Sequence, residues 1–176
     1  MRTLRAELCT LEPQMAAHAP EMFQVLSDPA IYEFENAPPE SESRLAERYA
    51  RLETRLSNDG NEQWLNWVLR LPDGKLAGYV QATVVRGGVG YIAYELASRY
   101  WRRGLGSCAV RAMIAELVTN YGVRTVVAIL KTPNHRSLAL LEHLGFSRAD
   151  PEQAAAHGAQ EDELVMLQPG KAAGRR

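Results

Sequence analysis

The spacing of apolar positions changes period several times along the 176 residues, and each change marks an element. Leu4, Ala6 and Leu8 alternate with Arg5 and Glu7, the period of a half-buried strand that Pro13 closes. Met15, Met22, Phe23 and Leu26 then fit one face of a helix over 14–26, stopped at Ser27-Asp28-Pro29 because proline disfavours helical geometry in the residue before it. Ile31–Pro39, with two prolines, aromatics and acids, predicts a loop. Leu45, Tyr49, Leu52 and Leu56 predict a second helix over 41–56. From Trp64 the period becomes two. Strands over 64–71, 76–85 and 89–97 are joined by Pro72-Asp73-Gly74 and Arg86-Gly87-Gly88, both turn sequences.

The helical period returns after Ser107 with Val110, Ile114, Leu117 and Tyr121, and Gly122 ends that helix. Thr125–Leu130 (TVVAIL) is a continuous apolar run, as in a strand covered on both faces. Asn134 caps a further helix carrying Leu138, Leu141 and Leu144, with Gly145 at its C-terminal end. Leu164–Leu167 is a last strand, and Ala154–Gln160 an alanine-rich loop. The order β-α-α-β-β-β-α-β-α-β-β predicts an α+β fold, a mixed and mostly antiparallel sheet flanked by helices. Residues 1–169 form one domain in this reading, and 170–176 a disordered tail.

Composition narrows the function classes. Hydrophobic residues make up 46% and charged residues 23%, as in an ordinary globular domain. A net charge of −1 gives no global basic field, so neither nucleic acid nor a membrane surface is an expected partner. Cys9 and Cys108 form no CxxC pair and the four histidines are scattered, so no metal is expected. No signal-peptide core and no apolar run of membrane-spanning length is found, which predicts a soluble, reduced, cytoplasmic protein.

Two segments carry candidate chemistry. Trp101-Arg102-Arg103-Gly104-Leu105-Gly106-Ser107 opens a helix after a strand. A helix start offers unpaired N–H groups and partial positive charge, which suit a phosphate, and the arginines add charge-assisted bonds. The same segment is also readable as a plain loop-to-helix turn. It lacks the Gly-Lys-Ser/Thr of a Walker loop and the third glycine of a dinucleotide fingerprint. The second segment is Asn134-His135-Arg136-Ser137, leading to Leu144-Gly145-Phe146; there Asn134 serves equally as a helix cap and Ser137 as a surface serine.

The order of these segments resembles the GNAT acetyltransferase superfamily, whose signature is Q/R-x-x-G-x-G/A followed by an Asn-led helix ending in Gly-Phe. Tyr100-Trp101, the LSDPAIY stretch of Leu26–Tyr32 and N-x-x-S most resemble its RimJ/RimL branch, whose members acetylate protein α-amines, with some relatives acting on small amines. The resemblance runs from about Arg5 to Phe146. It implies acetyl-CoA as donor, with its pyrophosphate on Arg102, Arg103, Gly104, Leu105, Gly106 and Ser107. It places the pantetheine arm along the backbone of Glu95, Leu96 and Ala97, with a hydrogen bond from Asn134. Ser137 matches the serine that donates to the departing thiolate. The acceptor implied is an amine-bearing peptide or small molecule, and a homodimer stays open.

Two departures from the broader family accompany this. The tyrosine that often acts as general acid falls at Leu141, and the strand glutamate that often acts as base falls near Gly90 and Tyr91. Glu95 is the acid available on that strand and the candidate base; an ion pair with Arg99 or Arg102 is its alternative role. An α-amine of pKa near 8 is roughly 10% neutral at pH 7, so a strong base is not required. On the acceptor side, Tyr32 and Phe34 are expected to wall a slot, with Glu33, Glu35 and Glu40 attracting a cation. A loop over 150–162 borders the same cleft in the branch it resembles. The departures keep a rival reading alive, a non-catalytic acyl-CoA-binding or regulatory domain on the same fold. A plain interaction domain, with Trp101 and the arginines as partner surface, is the other.

Overall fold

The computed structural model describes residues 1–34 and 36–170. Among these residues, eight strands form one sheet: β1 (Leu4–Arg5), β2 (Thr10–Pro13), β3 (Glu62–Arg70), β4 (Leu76–Val85), β5 (Val89–Leu96), β6 (Thr125–Lys131), β7 (Ser147–Arg148) and β8 (Glu163–Pro169). Five α-helices of the described residues flank it: α1 (Ala19–Leu26), α2 (Glu42–Leu52), α3 (Leu105–Asn120), α4 (His135–His143) and α5 (Pro151–Ala156). The sheet order is β1-β2-β3-β4-β5-β6-β8-β7, and β5–β6 is its parallel pair, as the crossover through α3 requires.

Both faces of the sheet are covered. Trp67, Val80, Ile92 and Val126 pack against Val110, Met113 and Leu117 of α3 and Leu138 and Leu141 of α4. On the opposite face Val68 and Leu76 meet Met22, Val25 and Leu26 of α1 and Leu45 and Tyr49 of α2. This double cover explains why Leu65–Leu69 is buried without alternation. No helix of the described residues is long and apolar enough to cross a membrane, and no metal-holding cluster occurs among them.

The structure corrects several boundaries. The first strand is two, because Ala6 N–H donates to Cys9 carbonyl and turns the chain; Leu8 is exposed at that turn, and Cys9 and Leu11 are buried instead. The helix expected over 14–26 starts at Ala19 after a 3-10 turn at Ala16–His18, since Pro20 lacks an N–H and is tolerated only in a first turn. Met15 is accordingly exposed. The second helix stops at Leu52, where Arg55 adopts a left-handed φ of 61°, and Leu56 lies outside it and exposed. Ala154–Ala156 of the expected alanine-rich loop are instead the end of α5, which is started by an Asp150/Gln153 capping box with Pro151 in the first turn. The segment read as a loop from Ile31 opens with a 3-10 turn, Pro29–Tyr32. The tail at 171–176 lies outside the described residues.

Candidate active site

The parallel pairing of β5 with β6 covers Val89–Tyr91 and Thr125–Val127 and goes no further. Beyond it the two strands diverge, and Ile92–Leu96 and Ala128–Leu130 line the two sides of a cavity of about 690 Å³. Ala97 N–H bonds to Ala77 carbonyl, which fixes the alternation of backbone groups along β5. Glu95 is paired with Tyr79 on β4, so the backbone groups of Tyr94 and Leu96 are turned toward the gap. Ala97 spends both its groups internally, its carbonyl accepting from Tyr100 N–H, and it does not line the cavity.

The start of α3 forms one rim. Gly104 is its N-cap with φ 73°, a left-handed conformation that an alanine reaches only under strain, and no side chain caps the helix. The first-turn N–H groups of Leu105, Gly106 and Ser107 therefore point outward without a capping partner, an anion site in the making. Gly106 has a different reason. A Cβ there would lie 2.9 Å from Leu140 Cδ1 and 3.2 Å from Leu96 Cδ1, so its smallness serves the packing of α3 on α4 and β5. Arg102, at φ 57°, lines the cavity with Trp101, Gly104, Leu105, Gly106 and Ser107; Arg103 does not.

Across the gap stands α4. Asn134 Oδ1 accepts from Ser137 N–H at 3.1 Å, so the asparagine is the cap, and both residues line the cavity half-buried. Tyr94 Oη donates to Ser137 carbonyl at 3.4 Å. Burial pushes the Tyr94 phenol up to about 12, the bond to Ser137 softens this, and the Glu95 charge adds to it, so the group is neutral near pH 7. Leu141 is buried in the core and offers no proton.

The opposite end of the cavity differs from the expected slot. Tyr32 lines it, but its hydroxyl is already donated to Leu26 carbonyl at 2.7 Å, and burial followed by the Glu95 charge raises its phenol to about 12. Glu33 is engaged by Arg136 at 3.2 Å and Glu40 is exposed; neither lines the cavity. Glu35 lies outside the described residues. Among the described residues, the acid that lines the cavity is Glu95. No residue of 150–162 lines it either; α5 is tethered to β5 through Tyr91 Oη and His157 Nδ1, 3.0 Å apart.

Sequence reasoning missed Arg136, whose guanidinium sits 3.8 Å above the Trp101 ring and 5.7 Å from Phe34 while pairing with Glu33. One side chain thus ties α4, the α3 loop and the turn after α1 together. Trp101 is fixed from its other edge, its Nε1 donating to Leu96 carbonyl at 2.9 Å. Gln14, Arg48, Tyr49 and Tyr79 also line the cavity, from segments the sequence pattern marked only as core or surface.

Comparison with known proteins adds a family. The model of the acetyltransferase (GNAT) domain matches residues 9–147. The chain is 25% identical over 150 residues, 84% of each sequence, to the uncharacterized N-acetyltransferase p20 of Bacillus licheniformis. Among solved structures it resembles RimL, a ribosomal L7/L12 alpha-N-protein acetyltransferase in complex with coenzyme A, with a TM-score of 0.79 and 15% identity over 95% of this chain and 97% of that one. The ribosomal-protein-S5-alanine acetyltransferase of Vibrio fischeri gives a TM-score of 0.79 at 17% identity, over 96% and 97%. The microcin C7 self immunity acetyltransferase MccE, solved with acetyl-CoA and AMP, gives 0.76 at 17% identity over 93% of each. At these identities the likeness is one of fold.

Proposed function

This chain belongs to the GNAT acetyltransferase family, and we propose that it moves the acetyl group of acetyl-CoA to a primary amine by direct attack. The observation that carries the reading is the gap between β5 and β6 opening beside the uncapped, glycine-started α3. Those residues fit the donor: N–H groups of 105–107 and Arg102 for pyrophosphate, Tyr94 and Leu96 backbone for an amide-bearing arm laid as an added strand, and Asn134 beside it. Acetyl-CoA supplies a thioester carbonyl open to an amine. Glu95 takes the proton that the amine sheds as the C–N bond forms. The Ser137 hydroxyl donates to sulfur as the C–S bond breaks, a modest need because a thiol of pKa about 8.5 leaves readily. Positioning of an already neutral amine contributes much of the rate. Acetyl-CoA-binding relatives of the same fold support this reading.

Calorimetry with acetyl-CoA and a thiol-release assay over a panel of amines, from small amines to peptides with ribosomal-protein-like N-termini, test it together. Binding with turnover is the expected result. Ser137→Ala lowers kcat by about ten-fold, the loss of one hydrogen bond to a developing charge, with acetyl-CoA affinity held; an unaltered kcat removes Ser137 from the mechanism. Absence of acetyl-CoA binding overturns the reading. Binding with silence across the panel replaces it with a non-catalytic acyl-CoA-binding domain.

A further inference from the structure

Main-chain pairing between β5 and β6 ends at Tyr91 and Val127, so beyond that point no ladder spaces the two sides of the gap. On one side stands Leu96, the last residue of β5. On the other stands the start of α4, residues 134–137, which carries Asn134 and Ser137. None of these four residues is buried, and the buried anchors of the helix, Leu138 and Leu141, lie beyond them. The Asn134 cap shapes the turn from within, accepting from Ser137 N–H, and does not fix its distance from β5. That distance has to be set by side chains that reach across.

One bridge comes from Tyr94, whose Oη donates to Ser137 carbonyl, but 3.4 Å makes it a long bond and a weak tie. Another is built from Trp101 and Arg136, both of which line the cavity. Leu96 carbonyl, turned toward the gap, accepts from Trp101 Nε1 at 2.9 Å. The Arg136 guanidinium lies 3.8 Å from the centre of the same indole, a cation held on an aromatic face. Phe34 stands 5.7 Å from that guanidinium, and Glu33 Oε2 accepts from both of its Nη atoms at 3.2 Å. The ion pair joins two exposed side chains and contributes little by itself. The stack is the stronger tie, and it runs from α4 through Trp101 to the end of β5.

We propose that Arg136 is a positioning residue: through its stack on Trp101 it holds the first turn of α4 at a set distance from Leu96, and so aligns the Ser137 hydroxyl with the sulfur of a donor laid along β5. This rests on the acetyl-transfer reading above and adds to it the residue that aims its hydroxyl. Arg136 transfers no proton, because a guanidinium stays charged. Lysine is no substitute, since an ammonium is a point charge on a flexible stem without the plane that stacks on an indole.

Initial rates of thiol release, with whichever amine turns over fastest, test it in a double-mutant cycle of Arg136→Met and Ser137→Ala. Arg136→Met keeps the reach of the side chain and removes its plane and charge; the residue is exposed, so the variant folds. Alone it is expected to lower kcat about ten-fold, as Ser137→Ala does, because a hydroxyl out of line no longer donates. In the Ser137→Ala background the same change is expected to cost less than about two-fold. KM for acetyl-CoA and the calorimetric stoichiometry of its binding hold, since the start of α3 is untouched. Arg136→Lys recovers little of the loss. Trp101→Phe, which keeps a ring and drops the bond to Leu96 carbonyl, shows the same dependence on Ser137. An arginine with a merely structural role would lower the melting temperature and the active fraction, and would cost as much without Ser137 as with it. An unchanged kcat in Arg136→Met, an equal loss in both backgrounds, or full recovery by lysine overturns the proposal and leaves acetyl transfer intact. Silence of the unaltered protein with every amine overturns the transfer reading, and the positioning role falls with it.

Discussion

Gly104 concentrates the demands of the proposed donor site in one residue. Its left-handed φ turns the chain so that the next N–H groups face the cavity, and a Cβ there meets nothing closer than Leu8 Cδ1 at 3.7 Å. The penalty of Gly104→Ala is thus conformational, about 1 kcal/mol of stability, together with weaker acetyl-CoA binding as the loop shifts to relieve it. Thermal denaturation and calorimetry on the variant measure both; wild-type affinity would show that the turn does not aim the N–H groups. Gly104, Asn134 and Ser137 were legible in the sequence because each is marked locally, by neighbours within a few positions at the start of its own helix. Gln14, Arg48, Tyr49 and Glu95 were not legible as a set. They come to line one cavity only after α2 packs on the sheet, and a period reading counts Tyr49 as core and Arg48 as surface without relating the two. Arg136 fell inside N-x-x-S as an unread position, although stacking on Trp101 makes it the joint between three elements.

Among elements, the turn at Pro29–Tyr32 is held by Asp28, whose carboxylate accepts from Ala30 N–H at 3.1 Å and from Ser98 N–H at 2.7 Å. Burial alone would raise the pKa of this carboxyl, but the donors from Ser98 and Ala30 and the charge of Arg99 outweigh it and hold it below 3.8. A lowered carboxylate contributes stability above its unfolded value and loses it as pH falls through the folded one. Asp28→Ala is therefore expected to lower the melting temperature at pH 7 and to make less difference as pH falls below 3.8. Asp28 ties the turn at one wall of the cavity to the segment after β5, so, on the proposed reading, the variant is also expected to raise KM for the acceptor. Helix ends show what the pattern carries and what it omits. A capping residue announced α4 in advance and apolar spacing announced α2, whereas α5, which ends in the alanine-rich stretch, went unread although Asp150-Pro151-x-Gln153 spelled its start. The split of the first strand had no such mark, since it depends on Leu11 rather than Leu8 facing Leu69 across the sheet.

For the molecule as a whole, buried weak acids set the alkaline limit. Burial is the leading cause that raises the Cys9 thiol from 9.0 to about 12 and the Tyr32 and Tyr94 phenols from 10.0 to about 12, with Tyr49 and Tyr79 pushed further. Above pH 9 to 10 the unfolded chain releases these protons and the folded chain keeps them, so stability falls as pH rises. The melting temperature is expected to stay level toward pH 9 and to drop steeply above 10, as a pH series of thermal scans would show; a level profile to pH 11 would mean that these groups ionise freely in the fold.

The short β5–β6 contact has a mechanical side as well. The strands β1–β5 and the strands β6–β8 are two plates, fastened edge to edge over three residues and tethered by α3. Any chain-like molecule that lies in the notch and bonds to both edges lengthens that fastening, and so turns two plates into one. A guest bonded to both edges is therefore expected to stiffen the middle of the molecule, and slower amide hydrogen exchange along β5 and β6 in its presence is the measurement that checks it.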